Sequence, residues 1–173
     1  FGALVIHVNQ CFKVKIIIKL KVFMAHLVIS SSLNRQSRSR LLAQSAYKAL
    51  EQIEVTVKWI DLADYSIPFC DGSSAHENSQ VKKLRTKIHD AEGILLAVPI
   101  YNYYANAAVK NLIELTGEAW SKKVVGFLCA AGGRGSYMSV MSLANSLMLD
   151  FRCFIIPRFV YSTGEAFEKE KIS

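Results

Sequence analysis

The sequence predicts one α/β domain on a parallel five-stranded sheet, doubly wound in the order 2-1-3-4-5, with its last helix cut short. Three observations carry this. From His26 onward, short apolar runs alternate with amphipathic stretches, which is the pattern of repeated strand-helix-strand crossovers. Residues 93–98 and 123–130 are almost wholly apolar, as in strands covered on both faces. Glycine or proline follows most runs and marks the turns.

Taken in order, residues 26–31 are a β-branched apolar run of strand length. Residues 37–52 place Leu41, Leu42, Ala46, Ala49 and Leu50 at helical spacing, so an amphipathic helix follows. Residues 55–60 alternate as a second strand. A loop over 61–72 carries Pro68 and Gly72, and a polar helix over 78–90 puts Val81, Leu84 and Ile88 on one face. The third strand, 93–98, is expected to end at Pro99. After a loop over 100–106, residues 107–116 read as a helix closed by Gly117. Residues 123–130 form the fourth strand, 132–135 a glycine-rich loop, 137–149 a helix rich in Met and Leu, and 151–156 the fifth strand. A charged helix starting near Glu165 is expected to be cut off at Ser173.

The chain has 173 residues, 51% hydrophobic and 20% charged, which suits one compact domain rather than a disordered chain. Its net charge is +7, but Lys13, Lys15, Lys19 and Lys21 supply four of those charges before Met24. The other basic residues are interleaved with acids, as on a solvated face, so no nucleic-acid function is expected. The chain opens on Phe1, and Met24 reads as the better start. Residues 1–23 are either an extraneous extension or an added edge hairpin, and residues 24–173 are the domain. No apolar run approaches the roughly twenty residues of a membrane span, so no membrane partner is expected. Cys11, Cys70, Cys129 and Cys153 are widely spaced, and His7, His26, His76 and His89 show no ligand spacing. Neither a metal site nor a disulfide framework is expected, and a reducing cytoplasm fits.

In an open α/β sheet, ligands bind beyond the carboxyl ends of the strands, where strand order reverses. Three loops converge there. The first offers Ser30, Ser31, Ser32, Ser37 and Ser39 beside a helix start, which reads either as a phosphate cradle or as an ordinary serine cap. The second, Pro99-Ile-Tyr-Asn-Tyr-Tyr-Ala-Asn106, joins aromatic surface to amides and suits a flat heterocycle; Tyr103 and Tyr104 also read as an interface patch. The third, with Gly132, Gly133 and Gly135, lets backbone approach a ring closely or is simply a turn.

Together these loops resemble the NADPH-dependent FMN reductase family of flavodoxin-like proteins. The family's G-S-x-R-x-x-S-x-N/S loop is matched at Ser32, Ser37 and Ser39, with Ser31 in place of glycine, Asn34 in place of arginine and Arg35 next to it. The pattern P-x-Y-N followed by L-K-N-x-I-D reads here as Pro99-Ile-Tyr-Asn102 and Val109-Lys-Asn-Leu-Ile-Glu114, with Asn106 where proline is frequent. The resemblance covers residues 24 to about 164 and implies a flavodoxin-like fold and hydride transfer from NADPH to bound FMN, then onward to a small-molecule electron acceptor such as a quinone. It implies that Ser32, Asn34, Arg35, Ser37 and Ser39 hold the phosphate, that Pro99, Ile100, Tyr101 and Asn102 lie along the ring, and that Gly132 and Gly133 meet its edge. No catalytic side chain is expected because the flavin carries the chemistry, and a homodimer or homotetramer is implied. The alternatives are a flavodoxin-type electron carrier and a flavin-free interaction protein.

Overall fold

The computed structural model describes residues 25–168 and 171–172; both readings of residues 1–23 lie outside them. In chain order the elements are β1 (His26–Ser30), α1 (Arg38–Gln52), β2 (Val57–Asp61), α2 (Ser79–His89), β3 (Gly93–Tyr101), β4 (Tyr104–Ala105), α3 (Ala107–Thr116), β5 (Val124–Ala130), α4 (Met141–Phe151), β6 (Phe154–Ile155), β7 (Val160–Ser162), β8 (Phe167–Glu168) and β9 (Lys171–Ile172). The main sheet runs β2-β1-β3-β5-β6 with every neighbour parallel. This is the expected doubly wound order, with one strand position more finely divided than expected.

Alternation along the central strands builds two cores. Leu27 and Ile29 of β1, Ile94, Leu96 and Val98 of β3, and Val125, Phe127 and Cys129 of β5 join the larger cluster, with Leu84, Ile88, Leu112, Ile113, Trp120 and Leu147. The intervening Val28, Ala97, Leu128 and Ala130 pack on the other face with Leu42 and Ala43 of α1. Each fully buried Leu, Ile or Phe contributes about 1.5–3 kcal/mol, and because side chains alternate faces, a slip of one residue in register would empty both clusters. Trp120, the largest fully buried side chain, donates from Nε1 to Thr116 Oγ1 at 2.8 Å, and Thr116 passes the bond to Leu112 O at 2.6 Å.

Three expectations are corrected. Pro99 does not end β3, which continues to Tyr101 and folds back as the antiparallel strand β4. Proline is accommodated because opposite it Asn106 N–H donates to Pro99 O at 3.2 Å, a bond in which proline need only accept. The fifth strand is in two pieces, β6 against Val124 and Val125 and β7 against Leu128 to Ala130. Phe151 instead closes α4, Arg152 turns the chain at φ 57°, and Pro157 interrupts the ladder between the pieces. No truncated fifth helix starts near Glu165. A single 3₁₀ turn, Gly164–Ala166, leads into the antiparallel β8–β9 pair, which takes up the backbone bonds a helix would have made. Phe167 packs on the α1 face of the sheet, with the Arg38 guanidinium 5.6 Å from its ring centre.

Candidate functional site

The first loop leaves β1 at the sheet's carboxyl edge and enters α1 at Ser37. Ser37 is the N-cap: its Oγ accepts from Arg40 N–H at 3.3 Å, and its N–H closes a turn onto Asn34 O at 3.0 Å. The amides of Arg38 and Ser39, first in the helix, have no intrahelical acceptor. Ser30, Ser31, Ser32, Ser37 and Ser39 are all buried. Ser39 Oγ donates to Ser37 Oγ at 3.3 Å and Ser32 Oγ accepts from Asn34 N–H at 3.2 Å, while Ser30 Oγ is buried with no partner among the described residues. Asn34 shapes the turn through Oδ1, which accepts from Gln36 N–H at 3.0 Å. Arg35 leans away from the serines onto Asp64 Oδ1 at 2.8 Å and Ala63 O at 3.1 Å. Replacing Ser37 by alanine removes the cap and is expected to lower stability by about 1 kcal/mol, read from urea melts; an unchanged midpoint would deny it that role.

The second loop is the β3–β4 hairpin. Asn102 and Tyr103 both have positive φ, 50° and 62°, the backbone of a tight two-residue hairpin turn. Asn tolerates that region, whereas Tyr is strained there by an amount of order 1–3 kcal/mol. The strained turn holds Tyr101, Tyr103 and Tyr104 out in solvent, Tyr103 68% exposed. Ile100 turns the other way into the larger core, so only its backbone faces this edge.

Sequence reasoning did not foresee how the two loops are fastened. Asn106 stands at the N-cap of α3, yet its side chain makes no capping bond. It turns instead to Ser31: Nδ2 donates to Ser31 O at 2.8 Å, and Ser31 Oγ lies 2.9 Å from Oδ1 and 2.8 Å from Ala97 O. Both residues are buried. Ser31 and Asn106 are two of the departures from the family pattern, and here each is the other's partner. No sequence signal joins positions so far apart.

The glycine loop follows β5. A Cβ built on Gly132 or Gly133 would meet nothing within 4 Å, whereas one on Gly135 would lie 3.3 Å from Tyr103 Oη. The third loop therefore touches the second. No protein atom requires glycine at 132 or 133, and the space beside them is open. Tyr161 of β7 supports this loop from below, its hydroxyl donating to Gly133 O at 2.7 Å and accepting from Ser136 Oγ at 2.6 Å.

Beneath the first loop, Asp61 at the end of β2 is buried with its Oδ2 2.5 Å from Arg40 Nε and its Oδ1 accepting from Ala63 N–H at 3.1 Å. Asn111 of α3 does a similar service for the loop after β2, donating to Pro68 O at 2.9 Å and accepting from Cys70 N–H at 2.8 Å. Cys70, Cys129 and Cys153 are free thiols. Burial pushes the Cys129 thiol up to about 12 and raises that of Cys153. Since only the thiolate reacts, native-state alkylation at mildly alkaline pH should mark Cys70 well before Cys129 and Cys153 on peptide mapping. Labelling of all three at one rate would show that the core opens.

No helix among the described residues is long and apolar enough to cross a membrane. The model of a family described as NADPH-dependent FMN reductase matches residues 24–168. An NAD(P)H-dependent FAD/FMN reductase of Geobacillus thermodenitrificans is 29% identical over 119 residues, 68% of this chain and 64% of that protein. The chain's match thus spans just under two-thirds of that relative's length. An NADPH azoreductase of a Bacillus species is 27% identical over 140 residues, 80% of this chain and 76% of its own. Among solved structures, the flavoenzyme NAD(P)H:(acceptor) oxidoreductase of Paracoccus denitrificans superposes with a TM-score of 0.68 at 19% identity, covering 86% of each chain. The apo form of an NADH:FMN oxidoreductase gives 0.65 at 16%, covering 85% of this chain and 81% of its own. These structures share the fold.

Proposed function

The chain belongs to the NADPH-dependent FMN reductase family, and from that premise we propose that it is an FMN-dependent NAD(P)H oxidoreductase that passes electrons to a small acceptor such as a quinone. The observation that carries this is the meeting of three loops at one sheet edge: serine hydroxyls and a helix start in the first, an exposed tyrosine hairpin bonded to it through Ser31 and Asn106, and open glycine backbone against Tyr103. The residues present fit FMN. The unpartnered Ser30 Oγ and the free amides of α1 suit a phosphate, and the open space at Gly132 and Gly133 suits the edge of a ring.

Bound FMN would supply the hydride acceptor and the electron relay. Ser32, Ser37 and Ser39, with the Arg38 and Ser39 amides, hold the phosphate, and Asn34 keeps the turn in shape. Arg35 joins them only by leaving Asp64, and because that pair is exposed the exchange costs little. The backbone from Pro99 to Asn102 and the Tyr101 ring flank the heterocycle, and Gly132 and Gly133 offer amides to its edge. We further assign the protein to the cytoplasm as a homodimer or homotetramer. The free thiols support the first, and the exposed hairpin tyrosines with Met138 support the second.

The test is an absorption spectrum of the purified full chain with added FMN, repeated after anaerobic NADPH. Expected are a protein-bound flavin band and its bleaching, with NADPH turnover when a quinone is added. Protein that binds no FMN would refute the reading. Flavin that binds but is never bleached would make the chain an electron carrier instead.

A further inference from the structure

We propose that a cleft beside the glycine loop is a second binding site, built for an aromatic group that carries an anionic substituent; this rests on the oxidoreductase reading above and adds the class of its second ligand. The cleft is open to solvent, has a volume of about 750 Å³ and is bounded by Arg134, Tyr137, Arg158, Phe159, Tyr161 and Glu165. That volume is in the range of small-molecule sites, roughly 300–1,000 Å³.

Its aromatic wall is made of rings packed on one another. Tyr137 stands edge-on to Tyr161 with ring centres 5.3 Å apart and lies 6.0 Å from Phe159. Phe159 in turn packs edge-on at 5.7 Å against Phe127 of the buried core. Tyr161 is tied by its two hydroxyl bonds to the glycine loop, so this wall adjoins the loop proposed to meet the flavin. The opposite wall carries Glu165 and is pinned to the start of α1. The Arg38 guanidinium packs on Gly164, where a Cβ would lie 3.0 Å from Nη1, and covers the Phe167 ring.

Two arginines and one carboxylate, Arg134, Arg158 and Glu165, line this space, which leaves it a net positive charge. Arg134 Nη2 and Glu165 Oε2 are 3.0 Å apart with both side chains strongly exposed, 84% and 78%. Such a bridge is weak enough for an arriving anion to take the carboxylate's place. A guanidinium offers a planar fork of donors that suits carboxylate, sulfonate or phosphate, and Tyr137, Phe159 and Tyr161 offer the ring surface beside it. Two sources supply an anionic aromatic in this reaction: the electron acceptor itself, and the phosphate-bearing adenosine end of NADPH.

Arg158→Gln and the double variant Arg134→Gln/Arg158→Gln test the site, with KM measured for two substrate pairs. Each pair differs by one anionic substituent: naphthoquinone sulfonate against unsubstituted naphthoquinone, and NADPH against NADH, which lacks only the adenosine phosphate. Loss of the arginines should raise KM for the member carrying the extra anionic group in one pair by about fivefold, leaving the member that lacks it within about twofold. Glu165→Gln should lower it. A rise with the sulfonate identifies the acceptor as the occupant, and a rise with NADPH identifies the donor. Both pairs moving together within about twofold in the double variant would overturn the proposal. Binding of naphthalene sulfonate, followed by NMR on flavin-free protein and on Arg158→Gln, needs no turnover. A cleft that binds it through Arg158 in a protein that takes no FMN would refute the oxidoreductase reading and keep the site.

Discussion

Replacing Asn106 by alanine is expected to cost about 3 kcal/mol of stability and to weaken FMN binding by about tenfold, a loss of roughly 1.4 kcal/mol. The substitution removes both bonds to Ser31 and strands the Ser31 carbonyl inside the protein. A buried acceptor left unpaired carries its full desolvation cost. For a domain of this size the melting temperature should fall by about 6–12 °C. The flavin effect has a different origin: the bond fastens the serine loop to the tyrosine hairpin, so phosphate and ring contacts would no longer be held at a fixed separation. A cycle with Ser31→Ala separates the pair from its surroundings and should give a coupling of about 1 kcal/mol or more. Additive effects would show that the Ser31 Oγ bond to Asn106 contributes nothing, and an unchanged midpoint in Asn106→Ala itself would sink this account.

Asp61→Ala is expected to destabilise by about 3 kcal/mol as well, through charge. The carboxylate is wholly buried, whereas Arg40 keeps 27% of its side chain in solvent. Removing one partner of a buried pair costs about 3–5 kcal/mol when the remaining charge stays trapped, and Arg40 escapes part of that by hydrating. Ala63 N–H also loses its acceptor. Asp61→Asn keeps that acceptor without the charge, so it should fall between the wild type and the alanine variant in urea melts. An asparagine variant as unstable as the alanine one would assign the whole effect to the ion pair, and a harmless alanine would show that the pair contributes nothing.

Most of the architecture was legible because it is local. Apolar alternation and helical spacing placed β1, β5, α1, α2 and α3, and the start of β3, within about two residues, and Gly117, with φ 42°, closes α3 where expected. The features that escaped depend on contacts distant in sequence or on unusual backbone. Nothing in Tyr-Asn-Tyr-Tyr announces a hairpin whose second turn residue is a tyrosine with positive φ, where glycine is the usual signal. The stretch after Glu165 has helical composition, but the Phe167 ring packs on the α1 face of the sheet instead. In the candidate site, the position of the serines beside the start of α1 was readable, but the commitment of Arg35 to Asp64 and of Asn106 to Ser31 was not. Each joins a side chain to a partner that only the folded topology brings near.

The division of the last strand position bears on how these molecules meet one another in a crowded solution. A long unbroken outer strand would present a row of unpaired amides and carbonyls to any passing chain, and Phe154, Ile156 and Val160 would add exposed apolar surface to it. Here that row is only two residues in β6 and three in β7, separated by a proline that has no hydrogen to offer. A second chain arriving at this border finds no continuous ladder to extend. The interruption therefore guards the molecule against sheet-to-sheet polymerisation, leaving the shortened border free to fold around the arginine-lined cleft.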